Sequence, residues 1–492
     1  MDTAQALWQA WQTWLLDGHV TLVLSLIWTA YGLLVAVWIL LERRAPLATL
    51  SWLLAMMALP VVGLLVYFIF GPRRFQRQRL KRLRSRRKWR MRRSMARLRD
   101  KVPQAPPQLQ QLVRLASAAS LPLSTAQRVE LLVGGADTLD AIVRAVSRAQ
   151  HHVHLEYYIF EPDTTGQRLL AALTERAAAG VQVRLLVDAL GSKRLGRRHY
   201  QALLDAGGEV ALFHPPRLGL GRRMRPVINF RTHRKIVVVD GVLGFTGGVN
   251  ITDQEDKRQN PRAYHDIHIQ LQGPVVGWLQ HLFLEDWAYA LDYRHHSLPD
   301  DFEYLLPVQH NGSYVAQIMA SGPDSSLEAI HRVLVSAIHV AQQRLWLATP
   351  YFVPTEAAML ALTNAALRGV DVRVLVPRHC DSLLVTAAAR SYFDELLECG
   401  VKVFEYQGRM LHAKTMVVDD MLGMVGTANF DNRSFRLNYE VCALVYNVLF
   451  TQQLAQQFEQ DLLHARPVAY GRAKPFLHRL AEAVARLFSP LL

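Results

Sequence analysis

A short stretch occurs twice in this chain, and its repetition narrows the possible folds more than any other feature. The first copy runs Arg231-Thr232-His233-Arg234-Lys235-Ile236-Val237-Val238-Val239-Asp240. The second runs Met410-Leu411-His412-Ala413-Lys414-Thr415-Met416-Val417-Val418-Asp419. Both read His-x-Lys-x4-Asp. Each is followed by a Gly-rich turn and an asparagine, Gly247-Gly248-Val249-Asn250 and Gly426-Thr427-Ala428-Asn429. The interval from His233 to Asn250 equals that from His412 to Asn429, so the short matches are locked in register.

The repeat reaches upstream of the motifs. Strand-like residues 153–160 answer 345–352, and 180–187 answer 369–376. Helical patterns rich in Ala and Leu, 139–149 and 327–341, stand before the first of these strands in each half. Strands alternating with helices predict an α/β layer fold in each half, with the boundary at 297–307. At 492 residues with 51% hydrophobic side chains, the chain has material for two cores and more. Cys380, Cys399 and Cys442 have no paired spacing, which argues against a disulfide framework or zinc site and for a reducing compartment. The adjacent pairs His151-His152 and His295-His296 read as surface residues, so no metal is expected.

The motif residue types suit an anionic phosphate. Side chains alternate along a strand, so His233 and Lys235 point one way, as do His412 and Lys414. The apolar run after each lysine fits a buried strand. The glycines let backbone N–H groups approach an anion, and Asn250 and Asn429 add amide donors. A phosphodiester needs its charge neutralised and its leaving alkoxide protonated. Lys235, Lys414, Asn250 and Asn429 can do the first without metal or cofactor. One histidine can attack phosphorus while the other supplies a proton. Asp240 and Asp419 complete the motifs, lie past the strand and read as structural. Asp266 and Glu440, at similar distances downstream, are the candidate carboxylates that orient the histidines. Which carboxylate serves which histidine stays open.

The N-terminal fifth is of another kind. Residues 20–41 and 47–70 contain no charge and are each long enough to cross a bilayer. Only Glu42-Arg43-Arg44-Ala45-Pro46 separates them, which predicts a membrane hairpin, kinked or re-entrant at Pro60. Before it, Leu7, Trp8, Trp11, Trp14 and Leu15 fall at roughly helical spacing and suit an interfacial helix or an ordinary packed one. After it, residues 73–99 hold fifteen Lys or Arg and no acid, while the whole chain nets +15. The remainder therefore sums to zero (15 − 15 = 0). A neutral catalytic body speaks against a nuclease, which needs a basic stripe. The basic run suits anionic lipid headgroups. By the positive-inside rule it puts the catalytic part in the cytoplasm.

The motif pair resembles the phospholipase D superfamily, in which two half-sites build one active site. The hairpin with Glu42-Arg43-Arg44-Ala45-Pro46 and the ending Arg486-Leu487-Phe488-Ser489-Pro490-Leu491-Leu492 narrow the likeness to bacterial cardiolipin synthases. That resemblance implies two phospholipase D-like α/β sandwich halves in one chain behind an N-terminal transmembrane hairpin. The expected layout is 1–72 as membrane anchor, 73–124 as basic segment and linker, 125–300 as first half and 301–492 as second half. It implies a multi-pass enzyme of the bacterial inner membrane acting on phosphatidylglycerol. One histidine, His233 by the resemblance, would take a phosphatidyl group and release glycerol; a second phosphatidylglycerol would accept it, giving cardiolipin. The alternative is a membrane-bound hydrolase of phospholipids. Two stretches stay open at this stage. Residues 214–225, extra in the first half, suit a loop over a lipid phosphate or a plain insertion. Phe476, Leu477, Leu480, Val484, Leu487 and Phe488 form one face of a C-terminal helix that either lies on a membrane or packs on the domain.

Overall fold

The computed structural model describes residues 18–41, 46–59, 105–215, 230–291, 312–325, 327–471 and 474–492, together with Trp8, Leu305 and His310. The chain divides into two units, Met1–Arg77 and Gln78–Leu492.

In the first unit, helix α1 (Gly18–Leu40) is followed by α2 (Pro46–Ala58). Residues Val20–Leu40 are long and apolar enough to cross a membrane. Val35 and Ile39 of α1 pack with Met56 of α2, while most large apolar side chains of α1 are exposed. The expected continuation of the second helix to residue 70, the basic run and the N-terminal helix, Trp8 apart, lie outside the described residues.

In the second unit, two sheets repeat one plan. Strand β1 is Ser124–Ala126. The first sheet holds β2 (Arg128–Val133), β3 (His152–Tyr157), β4 (Gln182–Asp188), β5 (Glu209–Phe213), β6 (Ile236–Val239), β7 (Leu243–Gly247) and β8 (Ile267–Gln272), in the order β2-β8-β7-β6-β3-β4-β5. The second half supplies β9 (Tyr314–Ser321), β10 (Arg344–Ala348), β11 (Phe352–Val353), β12 (Asp371–Pro377), β13 (Lys402–Tyr406), β14 (Thr415–Val418), β15 (Leu422–Gly426), β16 (Phe430–Asp431), β17 (Glu440–Tyr446) and β18 (Ala465–Pro467). Its main sheet runs β9-β17-β15-β14-β10-β12-β13, the same path strand for strand, with β1 and β18 added at the edges. In each half the strand after the motif lysine pairs antiparallel with the central parallel strands: β6 with β3, and β14 with β10.

The motif strands form because β-branched and apolar residues favour an extended chain that is buried on both faces. Ile236 and Val238 enter the core between the two sheets, whereas Val237 and Val239 enter the core beneath the first sheet's own helices. Val417 likewise faces the shared core, and Met416 and Val418 face the second half's own core. That shared core also takes Ile267 and Ile269 from β8 and Val441 and Ala443 from β17. The sheets therefore meet along the strands that carry the site.

Two sequence readings change here. The stretch expected to be linker up to residue 124 is folded where it is described. Helix α3 (Gln110–Ala119) buries Leu112, Val113 and Ala116 in the second half's core, and β1 pairs with β9. Leu112, Val113 and Ala116 sit three and four apart, on one helical face, which is why this segment docks rather than spans. His152, read as surface with His151, is buried and bonds Gln280 at 3.0 Å. It begins a strand, where one of any two neighbours must face inward. His295 and His296, most of the expected boundary at 297–307 and most of the insertion at 214–225 lie outside the described residues.

Candidate active site

The motif histidines and lysines sit just before their strands: β6 starts at Ile236 and β14 at Thr415. The chain there is held by the other half. The His233 N–H donates to the Tyr439 carbonyl at 2.9 Å, and the His412 N–H donates to the His265 carbonyl at 2.7 Å. Tyr439 and His265 each precede a candidate carboxylate, so these backbone bridges bring Glu440 to His233 and Asp266 to His412.

The side chains complete the exchange. His233 Nδ1 lies 3.0 and 3.1 Å from the two Glu440 oxygens. His412 Nδ1 lies 2.5 Å from Asp266 Oδ2. Each histidine is thus oriented by a carboxylate from the opposite half, which leaves Nε2 as its free nitrogen. His233 and His412 are 8% and 7% exposed, whereas Lys235, Lys414, Asp266 and Glu440 are at most 1% exposed. Of these six side chains, the two histidines keep the most exposure. Lys235 Nζ donates to the His233 carbonyl at 3.0 Å, Lys414 Nζ donates to the His412 carbonyl, and Lys414 stands 3.7 Å from Asp266. The lysine of each half acts electrostatically on the histidine of the other, so the two motifs converge.

Burial and like charge tune these groups. Burial, then the Lys414 charge, brings Lys235 down to about 7. Burial, with Lys414 adding to it, holds His412 at about 4, and burial also lowers His233. Burial pushes Glu440 up, but His233 and the Thr427 hydroxyl more than offset it and leave it low. Asp266 behaves likewise, with Lys414 and His412 opposing burial. A phosphodiester anion entering here meets two buried ammoniums, and its charge favours protonated imidazole.

The glycine turns allow close approach. Gly247 has φ +147°, and a Cβ there would meet the His268 backbone at 2.6 Å. A Cβ on Gly248 would lie 2.0 Å from Asp266 Oδ1. The second half departs at this position, since Thr427 replaces Gly248. Its hydroxyl donates to Glu440 Oε2 at 2.5 Å, and the Asn438 amide donates to Oε1 at 3.3 Å.

Asn250 and Asn429 are buried, and the side-chain oxygen of each has no partner among the described residues. The backbone N–H of Asn250 donates to Glu255 Oε1 at 3.3 Å, and that of Asn429 donates to Ser434 Oγ at 3.1 Å. Asp240 and Asp419 turn away from the site. Asp240 accepts the N–H groups of Gln150, His151 and His152, and Asp419 accepts those of Gln342, Gln343 and Arg344. Each aspartate thereby ties the far end of its motif strand to the start of β3 or β10.

Glu255 is the residue that the sequence reading missed. It is 1% exposed, and Oε1 lies 3.6 Å from His412 Nδ1. Its Oε2 has no partner among the described residues. Burial, then the Asp266 charge, pushes it up to about 8, so it carries a proton at neutral pH. Glu255 and Ser434 stand at the same interval after Asn250 and Asn429, and that alignment was the available signal. Glu255, Asp266 and His412 bring ligand-type atoms within 4.8 Å of one another, a cluster that histidine and cysteine spacing did not reveal. Asp266 there is already bonded to His412 and faces the Lys414 ammonium.

Comparison with known proteins agrees over nearly the whole chain. The family model described as cardiolipin synthase, PLD-like domain, matches residues 142–287 and 334–462, and one described as phospholipase D-nuclease N-terminal matches 32–72. A cardiolipin synthase of Geobacillus sp. strain WCH70 is 40% identical over 98% of this chain and 95% of its own. One of Geobacillus kaustophilus strain HTA426 is 39% identical over 97% and 95%. Among solved structures, a phosphatidylserine synthase of Haemophilus influenzae Rd KW20 aligns with TM-score 0.59 over 77% of this chain and 97% of that one, at 16% identity. That likeness concerns the fold.

Proposed function

The chain belongs to the cardiolipin synthase family of phospholipase D-like enzymes, and from that premise we propose how its residues carry out the transfer. The enzyme is a membrane phosphatidyltransferase acting on phospholipid. The observation that carries the residue assignment is the crossed pairing of His233 with Glu440 and of His412 with Asp266 around two buried lysines.

His233 is the nucleophile. Glu440 is kept ionised by His233 and the Thr427 hydroxyl, so it holds the His233 Nδ1 proton and leaves the Nε2 lone pair free. His412, whose carboxylate is backed by the protonated Glu255, is the acid. Phosphatidylglycerol binds with its phosphate oxygens against Lys235, Lys414 and the amides of Asn250 and Asn429. A bond forms from His233 Nε2 to phosphorus as the bond to the glycerol oxygen breaks, and His412 gives its Nε2 proton to that oxygen. Glycerol leaves. A second phosphatidylglycerol then gives its hydroxyl proton to His412 and attacks phosphorus, displacing His233. One phosphodiester is broken and one made, so no nucleotide is consumed.

Water in place of the second lipid would yield phosphatidic acid; the family membership favours transfer. The catalytic unit faces the cytoplasm behind a two-helix anchor, with the basic run of residues 73–99 against anionic headgroups. The test is to incubate the purified full chain with phosphatidylglycerol vesicles and separate cardiolipin from phosphatidic acid. Covalent phosphatidyl-enzyme should accumulate in His412→Ala and be absent in His233→Ala. The reverse pattern exchanges the two roles, and phosphatidic acid as sole product returns the enzyme to the hydrolases.

A further inference from the structure

The C-terminal helix Phe476–Leu487 is seated the wrong way round for an ordinary surface helix. Its only buried residue is Ala485. Phe476, Leu477 and Leu487 are 73%, 74% and 78% exposed, and Leu480, Val484 and Phe488 are also exposed. An amphipathic helix normally buries this stripe against its own core. Here polar groups make the attachment. Lys474 binds Asp394 at 2.9 Å and Glu482 at 2.7 Å. Arg486 pairs with Glu395 at 3.2 Å and lies over the Tyr392 ring at 4.4 Å. Tyr392 donates its hydroxyl proton to Ser489 at 2.9 Å, and the Arg433 N–H donates to the Leu492 carbonyl at 3.0 Å. The helix is therefore fixed to the domain with its apolar face turned to solvent.

Two neighbours identify what covers that face. Helix Leu383–Arg390 packs against it and adds Leu383, 84% exposed, and Leu384. A cavity of about 470 Å³ opens beside both helices, lined among others by Arg378, Arg390, Arg466, Lys474, Glu405 and Glu482. Arg390 pairs with Glu405 and Lys474 with Glu482, while Arg378 and Arg466 have no ion pair among the described residues. An apolar ridge edged by uncompensated guanidinium groups matches acyl chains below anionic headgroups. A second copy of this chain would have to bury those cations against its own. The chain also carries a bilayer-length helix, so lipid is always within reach.

A run of side chains links the ridge to the site. Asp381, just before helix Leu383–Arg390, accepts the Tyr351 hydroxyl proton at 2.6 Å and acts electrostatically on Tyr264. The Tyr264 ring lies 5.6 Å from that of His412. We propose that helix Phe476–Leu487 and Leu383 form a second membrane contact that inserts at the headgroup level of an anionic bilayer, with the Arg378–Arg466 cavity taking a lipid phosphate, so that lipids enter the site from the interface. This deepens the phospholipid reading of the site and rests on it.

The test uses the full chain reconstituted in vesicles. An environment-sensitive fluorophore is placed at Leu477→Cys, with Glu459→Cys as an exposed control, in a Cys380→Ser, Cys399→Ser background. In phosphatidylglycerol vesicles containing nitroxide-labelled acyl chains, position 477 should be quenched several-fold more than 459. Equal quenching, or a blue shift at 477 without lipid quenching as a protein partner would give, overturns the contact. Equal quenching in phosphatidylcholine overturns the headgroup part. These readouts need no turnover, so they stand apart from the synthase assignment. Independently, Phe476→Ser/Leu480→Ser/Leu487→Ser should lose about tenfold activity on vesicles and keep parental activity on dispersed short-chain phosphatidylglycerol. Equal loss on both substrates overturns the entry route. Arg378→Gln/Arg466→Gln should remove the preference of position 477 for anionic vesicles, and an unchanged preference overturns the cavity's role.

Discussion

Replacing Glu255 with glutamine isolates one of the features that make the two half-sites unequal. Glu255 is buried beside Asp266 and His412, and its proton is held to about pH 8 against an ordinary 4.5. Between those values the unfolded chain has released the proton and the folded chain has kept it. The folded state then binds more protons, so stability falls as pH rises through this window and levels off above 8. Each pH unit is worth about 1.4 kcal/mol. Glutamine removes the ionisation altogether. The stability of Glu255→Gln relative to the parent should therefore improve by roughly 2–3 kcal/mol between pH 5 and pH 7, which raises its relative Tm by a few degrees. Whatever glutamine loses in local bonding is a constant offset and does not move with pH. Thermal unfolding of both proteins in detergent at pH 5, 6, 7 and 8 reads the difference directly. Activity gives a second readout. Above pH 8 the parent places a second carboxylate charge beside Asp266, facing an anionic substrate, and kcat/KM should fall further in the parent than in the variant. Lys235, brought down to about 7, produces a basic limb in both proteins, so the ratio of the two profiles is what reports on Glu255. A stability difference flat from pH 5 to 8 would falsify the view that Glu255 is a neutral acid in the folded enzyme.

Four further substitutions and one removal probe the rest of the site. Gly248→Ala forces a Cβ to within 2.0 Å of Asp266 Oδ1; it should lower kcat by roughly 100-fold or more by displacing the carboxylate that orients His412, while Thr427→Gly in the other half, which removes a donor to Glu440 and an acceptor for the Val441 N–H, should cost about tenfold. Normal kcat in Gly248→Ala would show that Asp266 does not need its present position. Asp240→Ala and Asp419→Ala should each cost about 2–4 kcal/mol of stability, because three backbone N–H groups lose their acceptor; specific activity of the folded fraction at low temperature should change little, and its loss would put these aspartates in the chemistry. Chelation should leave the initial rate unchanged, because Lys235 and Lys414 supply the positive charge; loss in EDTA, restored by a divalent ion, would assign the Glu255–Asp266–His412 cluster to metal instead.

What could be read from the sequence was local. Spacing within each motif, the apolar strand after each lysine and the matched asparagines are short-range patterns, and the repeated strand order follows from them. The pairing of histidine with carboxylate is tertiary. Asp266 and Glu440 lie at different intervals beyond their asparagines, and nothing along the chain states that His233 takes its partner from residues 438–440 rather than 264–266. The backbone bridges from His233 to Tyr439 and from His412 to His265 decide it, and they exist only once the sheets meet face to face. The exchange of Gly248 for Thr427 carries no sign of its role along the chain; its importance depends on Glu440 standing 2.5 Å from the hydroxyl. The folded segment before β2 escaped notice because Pro106-Pro107 and its glutamines read as linker, although its leucines fall on one helical face.

The crossed pairing also explains why the two motifs share one chain. Each half contains a histidine, a lysine and an asparagine, yet each lacks the carboxylate that holds its own histidine in register. A free half would leave Asp266 or Glu440 without the imidazole and ammonium charges from the other half that hold these carboxylates low. Assembly of the halves therefore both completes the catalytic groups and satisfies the charges each half exposes at its edge. The shared core of β6, β8, β14 and β17 supplies the apolar driving force for that assembly. Once assembled, the duplicated positions are free to diverge. Gly248 against Thr427 and Glu255 against Ser434 stand beside the carboxylates and asparagines of the two half-sites, and there the two copies differ.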